Sequence, residues 1–157
     1  MSPRTEQLLT TFKRAEVAVE IPPDIRVAMW GKLLGISAFS AVGCVTRLPA
    51  GAITSCPETS ALLWGAMQEG LAVARASGVV MPEDFLDQIR GVSAGANPTI
   101  RPSMYYDLQA GKRLELEDMI GVVVRLGKKH GVPTPLTFAM YAALKPYVNG
   151  APDIPQG

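Results

Sequence analysis

Between Val27 and Val45 the chain carries a single charge, Lys32. Wound as a helix at about 1.5 Å per residue, this run would reach roughly 28 Å. A helix that is apolar nearly all round either lies in a protein core or crosses a bilayer. Length suits the bilayer. Against it stand Lys32 itself, the glycines Gly31, Gly35 and Gly43, and flanks that offer only Arg26 and Arg47. We therefore read a central core helix wrapped by its neighbours, and no membrane span. The lone ammonium has two readings. Its stem can lie on apolar surface with the head in water, or the cation can be held for chemistry.

A chain of 157 residues, 48% of them apolar, can bury one sizeable core. Net charge is +1, from 15 basic and 14 acidic residues with no dense basic block. With only two Trp, four Tyr and four Phe, there is neither an electrostatic nor a stacking case for nucleic acid. Cys44 and Cys56 show no metal or redox spacing. Cys44 falls inside the apolar run, as a buried thiol would in a reducing cytoplasmic compartment. The opening MSPRTEQLL has no apolar core of a secretion signal.

Ser2-Pro3 reads as a helix cap and first turn, with the helix running to about Arg14. Val17, Val19 and Ile21 alternate with Ala18 and Glu20, a weak strand signal that Pro22-Pro23 ends. After the central helix, Thr46 to Gly51 reads as a loop and Pro57 opens a helix with stripe Leu63, Met67, Leu71 and Ala74, capped near Gly78. Pro82-Glu83-Asp84 starts another, with Phe85, Leu86, Ile89 and Val92 inward. A loop from Gly95 to Pro102 leads to a short helix from Ser103, closed by Gly111. The spacing then predicts a helix from Glu115 to His130, acidic at its start, basic at its end and capped by Gly131. Thr134-Pro135 opens the last helix, with Met140, Tyr141 and Leu144 inward. Residues 150–157 read as a loose tail. The sum is an all-α domain.

No nucleophile triad, clustered metal ligands, P-loop or strand-borne G-x-G-x-x-G is present, so no metal is expected and the chain should not hold a dinucleotide by itself. His130, the only histidine, sits beside two lysines at a helix end, where it reads as a solvated dipole partner. What remains is Lys32 with Ser103, Asp107 and Glu115. Ser103 and Asp107 share a helix face, although Ser103 is equally read as a cap and Glu115 as a first-turn dipole partner. Spacing alone does not bring these residues to Lys32.

The segment SMYYDLQAGKRLELEDMIGVVVRLGKKHGVPTPLTFAMYAAL, Ser103 to Leu144, resembles the C-terminal domain of ketopantoate reductases (2-dehydropantoate 2-reductases). That family's pattern is SM-x-x-D-x-x-x-G-[RK]-x-x-E, then a glycine-containing helix and G-V-x-[TV]-P. Trp30-Gly31-Lys32-Leu33 resembles its W-x-K-L motif, so the likeness covers roughly Asp24 to Lys145. It implies a helical domain of the 6-phosphogluconate-dehydrogenase C-terminal-like type at 22–149. It also implies that residues 1–21 are the end of a Rossmann domain whose remainder is missing and would be supplied in cis or in trans. NADPH held by that domain would reduce a 2-keto acid in the pantothenate and coenzyme A pathway, in the cytoplasm, and family members often pair as homodimers. Lys32 would give a proton to the forming alkoxide, Glu115 would orient substrate and lysine, and Ser103 would bind the substrate carboxylate. Asp107 would be structural. The family usually carries asparagine where this chain has Ile36, Ser40 and Ala50. Of these only Ser40 retains a hydrogen-bonding side chain, and we include it among the substrate contacts. Losing the amides points to a 2-keto acid other than ketopantoate, or to a lapsed activity. Alone, the chain is expected to be inactive. The competing expectation is a catalytically inactive helical module that dimerises or binds a partner.

Overall fold

The computed structural model describes residues 2–152, and every regular element among them is helical. Helix α1 (Pro3–Arg14) starts where Ser2 Oγ accepts the Thr5 N–H at 3.3 Å. The alternating residues that follow form no strand. Val17 and Ile21 stay exposed, because a strand needs a neighbouring ladder and no described segment provides one.

Helix α2 (Ile25–Thr46) is capped by Asp24, whose carboxylate accepts the Arg26 N–H at 2.8 Å. Its length and hydropathy would let it cross a bilayer, but its apolarity has a nearer cause. From Leu34 to Cys44 it is largely buried inside the bundle, against α4 (Pro57–Ala76), α6 (Ser103–Gln109) and α8 (Pro135–Leu144). Gly70 of α4 lets the two long helices approach: a Cβ there would stand 2.4 Å from Leu34 Cδ2. At the far end Arg47 turns left-handed, and Arg101 donates to its carbonyl at 2.9 Å, placing a cation on the negative end of the helix.

Three expectations need correction. First, part of the Thr46–Gly51 loop is helical: Thr46 ends α2, and Ala50–Ser55 forms α3, too short to announce itself by periodicity. Second, the helix expected from Glu115 starts at Ile120, giving α7 (Ile120–His130). Leu114 and Leu116 are both buried, at 3% and 0% exposure. Residues two apart cannot both face inward from one helix face, so the chain crosses here in turns. Third, Thr134 does not cap α8 with its side chain. Glu69 reaches over from α4 instead, accepting the Leu136 and Thr137 N–H groups at 2.8 Å each and the Thr137 hydroxyl at 2.6 Å.

The remaining helix, α5 (Phe85–Ala94), packs Phe85 into a smaller cluster with Leu34, Leu71 and Met81, to which Trp30 adds its partly buried ring. The larger core joins α2, α4, α6, α7 and α8 through residues such as Val42, Met67, Met104, Ile120 and Met140. Of the expected loose tail, Gly150 is buried at φ 115° and its N–H donates to the Tyr147 carbonyl; residues 153–157 lie outside the described part.

Candidate functional site

One cleft of about 730 Å³ opens on the bundle. Lys32, Ile36 and Phe39 line it from a single face of α2, at helical spacings of four and three. Gly31 and Gly35 leave the backbone of α2 bare beside the lysine. Helix α3 contributes Ala50, Gly51, Ile53 and Thr54; α4 contributes Leu63, Trp64 and Met67; α5 and the following loop contribute Ile89, Arg90, Val92, Pro98 and Ile100. The loop is strapped to α3 by two backbone bonds, Ala50 N–H to Ile100 O at 2.9 Å and Gly51 N–H to Pro98 O at 2.8 Å. These occupy the first N–H groups of α3.

The cleft wall is mostly apolar, with two cations, the hydroxyls of Thr54, Ser60 and Ser93, and no carboxylate. Lys32 is exposed, and it makes no ion pair among the described residues. Arg90 holds its guanidinium over the Trp64 indole, 4.8 Å from the ring centroid. Its one carboxylate contact is long, 3.5 Å to Asp87. Neither Arg90 nor Trp64 stood out in the sequence. They lie on different helices, so no local spacing links them. A clue was available at Val92: assigned to the inward stripe of α5, it is 76% exposed and faces the cleft.

The other sequence candidates lie elsewhere. Ser103 is the first residue of α6, exposed, and the cap position is taken by Pro102. Glu115 is exposed in the turn before α7, and Ser40 is buried at 2% exposure behind the cleft wall. None of the three lines the cleft, whereas Lys32 and positions 36 and 50 all do. Cys44 is fully buried, and burial pushes its thiol up to about 11, which leaves it inert. His130 is exposed at the end of α7. Among the described residues no three His, Cys, Asp or Glu side chains group as metal ligands would.

Residues 24–148 match the family model described as ketopantoate reductase PanE/ApbA, C terminal. The chain belongs to the ketopantoate reductase family. The 2-dehydropantoate 2-reductase of Caulobacter vibrioides is 30% identical over 144 residues, covering 92% of this chain and 49% of that protein. A ketopantoate reductase structure from Ralstonia eutropha superposes with a TM-score of 0.82 at 33% identity, over 90% of this chain and 47% of the other. A dimeric ketopantoate reductase from Staphylococcus aureus gives 0.85 at 26% identity, over 94% and 51%. The chain thus spans about half the length of the relatives it matches. This ketopantoate reductase domain keeps the W-x-K-L lysine on its cleft. Ile36 and Ala50, two of the positions where the resemblance leads one to expect asparagine, line the same cleft.

Proposed function

We propose that this chain is the substrate-binding half, carrying the catalytic lysine, of an NADPH-dependent reductase of a 2-keto acid. The supporting observation is the cleft: an exposed, unpaired ammonium lining a mostly apolar, carboxylate-free cavity suits a substrate that arrives as an anion and develops a second oxyanion. The chain offers no strand–glycine–helix unit among its described residues, so the fit is to the reacting end of the site and not to the dinucleotide phosphates. Bound by a second domain, NADPH would supply the hydride. Lys32 Nζ then donates its proton to the carbonyl oxygen as that oxygen becomes an alkoxide, and the product leaves as a 2-hydroxy acid. The apolar wall keeps competing water away from the reacting carbon.

Glu115, positioning the lysine and substrate, and Ser103, contacting the carboxylate, complete the proposed set. Both lie outside the cleft wall here, and their part is carried by the resemblance alone. Ser40 is the remaining proposed contact, and its role depends on the wall itself moving. The second domain would lie along 8–29, where Leu8, Phe12, Val17, Ile21, Ile25 and Met29 are exposed; residues 1–21 are then the end of that domain and 22–149 the helical domain. The setting is the cytoplasm and the pantothenate pathway.

Joining the chain, in cis or as a co-expressed partner, to the nucleotide-binding half of a relative should give 2-keto-acid-dependent NADPH oxidation that neither part shows alone. No oxidation from a joined protein that binds NADPH would refute the reading. A homodimer is also proposed, in line with the dimeric Staphylococcus aureus relative. Light scattering should then give roughly twice 16.7 kDa, and a monomer at high concentration would contradict it.

A further inference from the structure

We infer that Arg90, held over Trp64, is an anion clamp for the substrate carboxylate, and that the apolar wall of the cleft selects 2-keto acids whose side chain is a bulky hydrocarbon. The inference rests on the cleft being the substrate site. Two features of the cleft carry it, one for each end of the ligand.

The first feature is the second cation. Arg90 Cζ stands 4.8 Å from the Trp64 ring centroid, an attraction that anchors the guanidinium over the indole and leaves N–H groups for a ligand. A guanidinium matches a carboxylate with two parallel hydrogen bonds, which an ammonium cannot offer. Arg90 is half exposed, at 51% of its side chain, and its contact with Asp87 is too long to occupy it. Lys32 and Arg90 come from different helices and line one cleft. A 2-keto acid presents two oxygen-bearing groups on adjacent carbons. The division of labour is then carboxylate to Arg90, which lines the cleft as Ser103 does not, and keto oxygen to Lys32; if Arg90 holds the carboxylate, the contact proposed for Ser103 is secondary.

The second feature is the hydrocarbon of the wall, which outweighs the hydroxyls of Thr54, Ser60 and Ser93. Ile36, Phe39, Ala50, Ile53, Leu63 and Met67 offer hydrocarbon, and Ile53 and Leu63 are at most 5% exposed. A ligand hydroxyl docked against these side chains would lose its water hydrogen bonds and gain none from them. A branched alkyl or aryl group would gain burial at each carbon. A cavity of about 730 Å³ has room for such a side chain beside the reacting carbon.

Calorimetric titration of the 157-residue chain tests both parts. The probes are pyruvate, ketopantoate and 4-methyl-2-oxopentanoate, against wild type, Arg90→Lys, Arg90→Ala, Trp64→Phe and Ile36→Asn, with circular dichroism as the folding control. 4-Methyl-2-oxopentanoate should bind at least about tenfold more tightly than either other acid. Arg90→Lys should weaken all three by about tenfold while leaving their ratios unchanged, and Arg90→Ala should weaken them further. Trp64→Phe should weaken them less than Arg90→Ala does. Ile36→Asn should narrow the gap between ketopantoate and the alkyl acid.

Wild-type affinity from a folded Arg90→Lys chain would overturn the clamp, as would no binding of any probe to wild type. Equal affinity for ketopantoate and the alkyl acid would overturn the selectivity. If adenosine 2′-phosphate binds through Arg90 while the 2-keto acids bind without it, the residue serves the cofactor and the inference fails. Failure of the underlying reading shows separately, as turnover by the joined protein that survives loss of Lys32.

Discussion

Among single residues, Glu117 ties together more of the chain than any sequence signal indicated. The helix expected from Glu115 would put it in a first turn, as part of the acidic start. It stands instead in the turn before α7, where it accepts from Lys145, from the Tyr141 hydroxyl at 2.9 Å and from Arg125 at 2.8 Å. Lys145, then Tyr141, hold its carboxyl below the ordinary value of 4.5. A depressed carboxyl pKa stabilises the fold above the unfolded value, and that contribution is lost as the pH falls through the folded one. The site is solvent-screened, so the effect is modest. Glu117→Gln should lower Tm at pH 7 by about 3 °C, and the difference from wild type should vanish as the pH drops below 4.5. A difference that does not shrink at all as the pH falls below 4.5 in thermal melts would assign the loss to packing. Lys32 was legible at this scale for a simple reason: one charge in an apolar run must reach water somewhere, and here it does so at a cleft. Arg90 was not legible, because its neighbour Trp64 is close in space and distant in sequence.

Elements that satisfy their ends locally were readable, and those that borrow partners were not. Ser2 and Asp24 cap their own helices, and Gly78 and Gly131 close theirs at φ 80° and 69°, as the residue types indicated. The cap of α8 comes from Glu69, 67 residues away from Leu136, and no local pattern encodes it. The start of α7 was misplaced because burial of both Leu114 and Leu116 outweighs local helix preference there. Helix α3 matters most to the site, since it holds the far wall. A Cβ on Gly51 would stand 2.6 Å from Pro98 Cβ and 3.1 Å from its carbonyl oxygen. Gly51→Ala should cost about 1–3 kcal/mol in chemical denaturation and weaken any cleft ligand, because the loop must lift from α3. Unchanged stability and affinity would show that the strap is dispensable.

On the scale of the whole molecule, the long apolar helix is a core element because the helices from α3 to α8 pack around it. The same segment by itself meets the length and hydropathy of a membrane span, and only the amphipathic sequences around it decide otherwise. The helical domain was readable from Asp24 onward because its motifs are long and ordered. Where Ser103 and Glu115 lie was not: neither lines the cleft that Lys32 lines, and no spacing along the chain says so. The account turns on Lys32. Single-turnover NADPH oxidation by the joined protein, with Lys32→Ala compared to wild type, tests it most directly. We expect the chemical step to fall by a factor of about 10² to 10⁴ with NADPH affinity and helical content unchanged. A variant that reduces the 2-keto acid at the wild-type rate would show that the lysine on this cleft is only a solvated side chain.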